Sequence, residues 1–149
     1  MKAVSEILAV LLMIVIVIGL VGVLWYFMRG ASRMGNFIIQ DASCSGGSLR
    51  IVASYSGNDA TPGDVILRVR NKLTGAVSTP AITIYKGPAC AITNIGAAGC
   101  NTPASAAAPI TSAETVGITA SYSVTSGTQI DIELIVFGHR SAPYTVTCY

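Results

Sequence analysis

Apolar residues change their spacing once along this chain. From Ile7 to Met28 they run unbroken for 22 positions, ILAVLLMIVIVIGLVGVLWYFM, between Glu6 and Arg29. An amphipathic helix would carry polar residues every third or fourth position; here every face is apolar, so no side is left for water. At about 1.5 Å rise per residue such a helix reaches roughly 33 Å, against a hydrocarbon core of about 30 Å. The run predicts a helix buried all round, either by lipid or by a bundle of identical helices.

From Phe37 onward the period is two. SLRIVASY puts Leu49, Ile51, Ala53 and Tyr55 on one face, and DVILRVR does the same with Val65, Leu67 and Val69. TVGITASYSV offers Val116, Ile118, Ala120, Tyr122 and Val124; QIDIELIVF offers Ile130, Ile132, Leu134 and Val136; PYTVTCY offers Tyr144, Val146 and Cys148. These alternations predict half-buried strands. Turn signals separate them at SGND (56–59), TPG (61–63), LTG (73–75), KGP (86–88) and SGT (126–128). Short strands, frequent turns and no second helix predict an α+β chain: a long hydrophobic N-terminal helix, then an antiparallel β-sandwich of the immunoglobulin-like kind. The domain boundaries fall at 1–34 for the helical segment and 35–149 for the β domain, with six to eight strands.

Several local features sharpen this picture. Ser5 reads as the helix N-cap and Glu6 as an acid favoured by the helix dipole. Gly19 and Gly22 would let neighbouring helices approach closely, and Trp25, Tyr26 and Phe27 would form an aromatic belt at a membrane interface or cap a dry helical core. RGASRMG, from Arg29 to Gly35, reads as a hinge in which Gly30 and Gly35 are free to take positive φ. Between Pro88 and Pro109 the Ala-, Gly- and Pro-rich chain shows no alternation and is expected to be an exposed loop.

Charge is sparse. Charged residues make up 11% of the chain, against about 25% in soluble proteins. Beyond Gly35, six acids (Asp41, Asp59, Asp64, Glu114, Asp131, Glu133) balance six bases (Arg50, Arg68, Arg70, Lys72, Lys86, Arg140), so the net charge of +2 comes from the first 34 residues. No basic patch calls for nucleic acid. Lys2 lies on one side of the apolar run and Arg29 and Arg33 on the other, so the basic residues lean against an internal N-terminus. The cysteines lean the other way and are the larger signal.

All four cysteines, Cys44, Cys90, Cys100 and Cys148, lie beyond the run and lack zinc-type spacing, so two disulfides in an oxidising, extracytoplasmic space are expected. Cys90 and Cys100 bracket the first half of the Ala-rich loop and are expected to pair. Cys148 faces inward with Val146 and Tyr144, toward Cys44, in a bridge expected to tie the last strand to the stalk end of the domain.

Lys2, Ala3, Val4, Ser5, Glu6 and the run after them resemble the start of an archaeal type IV pilin: a basic and a small residue, a short polar step, and a long apolar helix. The likeness covers about the first 30 residues. It implies a prepilin peptidase that removes Lys2 and Ala3 as the last leader residues and leaves Val4 first on the mature chain. It also implies a filament whose core is a helix bundle, with Ile7, Leu11, Ile14, Ile18, Val21 and Trp25 as its packing stripe. On this resemblance the partners are the membrane before assembly and copies of the same chain afterwards, and the location is a filament on the cell surface.

Catalytic patterns do not emerge. His139 stands in an expected turn without a nucleophile elbow or an orienting acid. Asp131 and Glu133, two apart on one strand, read as solvated surface acids. GAAGC lacks the following Lys and helix of a phosphate loop. No enzyme activity, metal or cofactor is expected. Two functions compete: a pilus-like filament subunit serving adhesion, and a single-pass, membrane-anchored β domain acting as a binding or surface-layer module. The residues before the run favour the first.

Overall fold

The computed structural model describes residues 2–31 and 33–149, with the side chains of residues 29–31 left aside. The chain divides into two compact units, Met1–Arg33 and Met34–Tyr149. The first is one helix, α1 (Lys2–Ala31), 30 residues long. It begins earlier than the apolar run: Ser5 and Glu6 lie inside it, so Ser5 is not an N-cap. Lys2, Ala3 and Glu6 are good helix formers, and Lys2 and Glu6 stand four apart on one face, so the helix has no reason to wait for Ser5. At the other end it continues through Gly30, which is therefore helical and no hinge; Ser32, within the expected connector, lies outside the described residues.

The second unit is built from β1 (Gly35–Ser45), β2 (Ser48–Gly57), β3 (Val65–Asn71), β4 (Val77–Ser78), β5 (Ile82–Lys86), β6 (Thr102–Pro103), β7 (Thr115–Ser121), β8 (Gln129–Val136), β9 (His139–Arg140) and β10 (Tyr144–Thr147), with a 3₁₀ turn at Pro62–Asp64. Seven of these strands have four or more residues; β4, β6 and β9 have two each. They form two antiparallel sheets, one ordered β1-β2-β7-β5-β6 and the other β10-β8-β3-β4 with β9 beside β8.

One hydrophobic core lies between the sheets, and alternation builds it. Leu49, Ile51, Ala53 and Tyr55 of β2, Val65, Leu67 and Val69 of β3, Val116 and Ile118 of β7, and the four inward residues of β8 are all buried in it. Tyr122 and Val124 lie past the end of β7 but still pack against it.

Strand β1 departs from the period of two expected from Phe37 onward, because its phase slips. Phe37 and Ile39 face the core, a bulge falls between Ile39 and Asp41, and Ala42 and Cys44 then take over the inward positions. One extra residue exchanges the two faces.

The Ala-rich segment is not a free loop. Ile95 and Cys100 are buried, at 7% and 0% exposure, and they sit on the outer side of the first sheet. Gly117 of β7 makes this possible: a Cβ there would come within 2.7 Å of Ile95 Cγ1 and 3.0 Å of Cys100 Sγ. Val52, which points outward on β2 directly opposite Gly117, is buried as well. The Arg50 guanidinium donates to the Ile92 carbonyl at 3.4 Å. The apolar side chains that composition hides among alanines form a small second core.

Candidate functional site

The largest chemical feature is the surface of α1. Its large apolar side chains are between 49% and 81% exposed, with no face spared. Ile7, Leu11, Ile14, Ile18, Val21 and Trp25 do fall three or four apart along it, but they are no more or less covered than Leu8, Leu12 or Val15, so the whole circumference needs covering. Among the described residues, nothing outside the helix's own adjacent backbone stands within 4 Å of a Cβ built at Gly19 or Gly22. By length and composition α1 can cross a membrane. Lys2, Ala3 and Val4 form its first turn.

Both expected disulfides are formed, Cys44–Cys148 and Cys90–Cys100. Their positions differ from expectation in one respect. Cys44 lies nine residues beyond Gly35 on a continuous strand, about 30 Å away at 3.3 Å per residue. The long-range bridge therefore closes the far end of the domain, not the stalk end. There the Tyr149 N–H donates to Cys44 O at 3.0 Å and the Cys148 N–H donates to Thr128 O at 2.9 Å, so the C-terminus is held at that far end.

At the near end, where Met34 opens the domain, the chain is locked by Asn58. The Met34 N–H donates to Asn58 Oδ1 at 2.9 Å, and the Asn58 N–H donates back to Met34 O at 2.8 Å. The Tyr55 hydroxyl donates to the Asn58 carbonyl, and the Tyr55 ring packs on Phe37 with centroids 4.9 Å apart. Gly35 keeps an ordinary φ; its missing Cβ is what admits the Tyr55 ring. Burial, followed by the nearby charges of Asp59 and Asp64, pushes the Tyr55 phenol above its ordinary value.

A second tie holds the segment before β7. Lys86 Nζ stands 3.3 Å from Glu114 Oε1 and donates to the Pro109 carbonyl, while the Thr111 N–H donates to Glu114 Oε2 at 3.2 Å. Burial alone would raise the Glu114 pKa. The hydrogen bonds from Thr111 and Lys86 outweigh it and hold the carboxyl below its ordinary range.

Asp131 and Glu133 are not simply solvated. On the outer face of the second sheet Glu133 stands 3.6 Å from Arg68, its partner in register on β3. Asp131 is 3.7 Å from Lys72 and accepts from the Thr145 hydroxyl at 2.7 Å. With Arg70, Arg140 and Pro143 they line a cleft of about 290 Å³. The sequence placed these acids on one face but held no sign of the cations opposite, because cross-strand register is a long-range fact. His139 is exposed on the short strand β9, after a turn in which Phe137 and Gly138 both take positive φ. Among the described residues no group of three or more His, Cys, Asp or Glu side chains is gathered to hold a metal ion. No protein-family model matches this chain, and no curated protein matches it significantly.

Proposed function

We propose that this chain is the subunit of an extracellular type IV pilus-like filament, with α1 helices bundled in the core and the β domains outside, and that the filament serves adhesion. The observation that carries the reading is the contrast between the two units. The β domain closes its own core from its two sheets, whereas α1 leaves apolar side chains open on every face. At about 25 cal/mol per Å², each 100 Å² of that surface removed from water contributes about 2.5 kcal/mol. Lipid covers it before assembly, and neighbouring helices cover it afterwards. The resemblance of the first 30 or so residues to archaeal type IV pilins favours the filament over a plain anchor. It also assigns Lys2, Ala3 and Val4 to processing by a prepilin peptidase.

The β domain is read as immunoglobulin-like. With β1, β2, β3, β4, β5, β7, β8 and β10 taken in turn as strands A, B, C, C′, D, E, F and G, the two sheets run A-B-E-D and G-F-C-C′. That order supports the assignment. The disulfide here joins the first strand to the segment after the last, rather than crossing between B and F. We read the protein as a structural subunit with no enzymatic activity.

The test is electron microscopy of the surface fraction sheared from cells making this protein, with mass spectrometry of its contents. Thin filaments containing this chain are expected. Protein that stays wholly in the membrane fraction, with no filament, would replace this reading with the anchored binding domain.

A further inference from the structure

The β domain is electrically neutral, but its charges are sorted. Four of its six cations, Arg68, Arg70, Lys72 and Arg140, gather on the outer face of the second sheet with only two acids. Arg68 and Lys72 are taken by Glu133 and Asp131. Arg70 stands opposite Asp131 in register, but that carboxylate already serves Lys72 and Thr145. Arg70 and Arg140 are thus left without an acid among the described residues. Ile66 and Val77 are 48% and 47% exposed: Ile66 shares the outer face of β3 with Arg68 and Arg70, and Val77 pairs with Arg70 from β4. Aliphatic side chains set among arginines are the makings of a protein interface.

The opposite side of the domain offers one acid left without an ion pair among the described residues. The docked segment around Ile95 covers the first sheet's outer face at Gly117 and Val52 and leaves open a polar patch at Ser48, Thr83, Thr119 and Ser121 and, on the other side of β2, the outer face of β1. There Ile38 and Asp41 are exposed; Asp41 forms no ion pair among the described residues, and Arg50, diagonal to it on the same face of β2, turns its guanidinium to the Ile92 carbonyl at 3.4 Å. Strand addition at an edge is discouraged. Outer strands β4 and β6 have two residues each, β6 contains Pro103, β1 is bulged at Gln40, and β1 and the tail of β10 are bridged at Cys44–Cys148. Faces, not edges, are left for contact.

We infer that β domains of successive copies pack head to tail, the Arg70/Arg140 face of one on the Ile38/Asp41 strip of the next. This rests on the filament reading and names the contact that orders its outer layer. Because the two outer faces lie on opposite sides of one core, the contact joins unlike surfaces. Such a heterologous contact propagates into an open helix when its rotation does not close. Attraction between the faces adds orientation to a helix bundle that, being apolar all round, supplies little of its own.

The test uses full-length chains assembled on cells, comparing wild type, R70E/R140E, D41K and the triple variant. Either single-face reversal is expected to raise the concentration of unassembled subunit about tenfold, the effect of about 1.4 kcal/mol per subunit. The triple variant, with both faces reversed, is expected to recover most of that loss, which a folding defect would not do. Filaments of wild-type stability from both single-face variants would overturn the inference while leaving the filament reading intact. So would normal filaments that lose only binding to an acidic polysaccharide, since the face would then serve a ligand. If the reversed chains fail to accumulate with both disulfides formed, R70Q/R140Q takes their place, with a smaller rise expected and no rise overturning the contact. Absence of filaments from the wild type would strike the filament reading itself.

Discussion

Replacing Gly117 by alanine tests the docking of the Ala-rich segment most directly. A Cβ at this position would stand 2.7 Å from Ile95 Cγ1, 2.9 Å from Ile95 Cγ2 and 3.0 Å from Cys100 Sγ. Carbon atoms prefer separations of about 3.5–4.0 Å, so Ile95 must retreat. It has little room, being 7% exposed and inside the loop that the Cys90–Cys100 bridge closes. Overpacking of this kind costs about 1–3 kcal/mol. Against it stands a gain of about 0.4–1 kcal/mol, because Gly117 has an ordinary φ and alanine narrows the unfolded ensemble. The net expectation is a loss of about 1–2 kcal/mol. Ile95→Ala should by itself cost about 2 kcal/mol, the low end for such truncations, since a surface segment can settle into the gap. In the Ile95→Ala background most of the clash is gone, and Gly117→Ala should fall within about 0.5 kcal/mol of neutral, a coupling of about 1–2 kcal/mol. Urea unfolding of the four full-length proteins in detergent, followed by near-ultraviolet circular dichroism, measures the cycle. Additive costs, or a neutral Gly117→Ala in the wild type, would show that Ile95 does not rest on Gly117.

Three further outcomes are expected. Cys44→Ser/Cys148→Ser opens a bridge spanning 104 residues and should cost about 4.8 kcal/mol on the chain-entropy estimate, read from the urea midpoint; a loss below about 1 kcal/mol would contradict it. Glu114 has a folded-state pKa below its ordinary 4.5, so its ionised form contributes stability that is complete above that value and fades as pH falls through the lowered one. Glu114→Gln should therefore destabilise the domain at neutral pH and flatten the acid limb of its stability profile, and an unchanged acid limb would rule out this role. Tyr55 is shifted upward from 10.0, so its stabilisation is complete below that value and is lost as pH rises through the raised one. Tyr55→Phe should cost about 1 kcal/mol at pH 7 by losing the bond to Asn58 and should remove part of the alkaline loss of stability, both visible in pH-dependent melts.

Local spacing settled a good deal of this molecule in advance. The unbroken apolar run is α1, because a helix with no polar face is recognisable from any window of it. The alternating segments at 48–55, 64–70, 115–124 and 129–137 hold β2, β3, β7 and β8 with their predicted faces inward, β7 ending early at Ser121, since residues two apart share one side of a strand. The cysteines paired as their placement on a loop and on a strand face implied. Other features depended on partners distant in sequence. A bulge at Gln40 shifted the phase of β1 and hid it, and β5, five residues between Pro80 and Gly87, was too short to announce itself. Only folding set Ile95 on Gly117, Tyr55 over Gly35, Lys86 against Glu114, and Arg68 across from Glu133. Each joins residues on separate strands or loops, whose meeting is decided by strand order and register. Periodicity reports which side of a strand is apolar; it does not report which strand lies beside it.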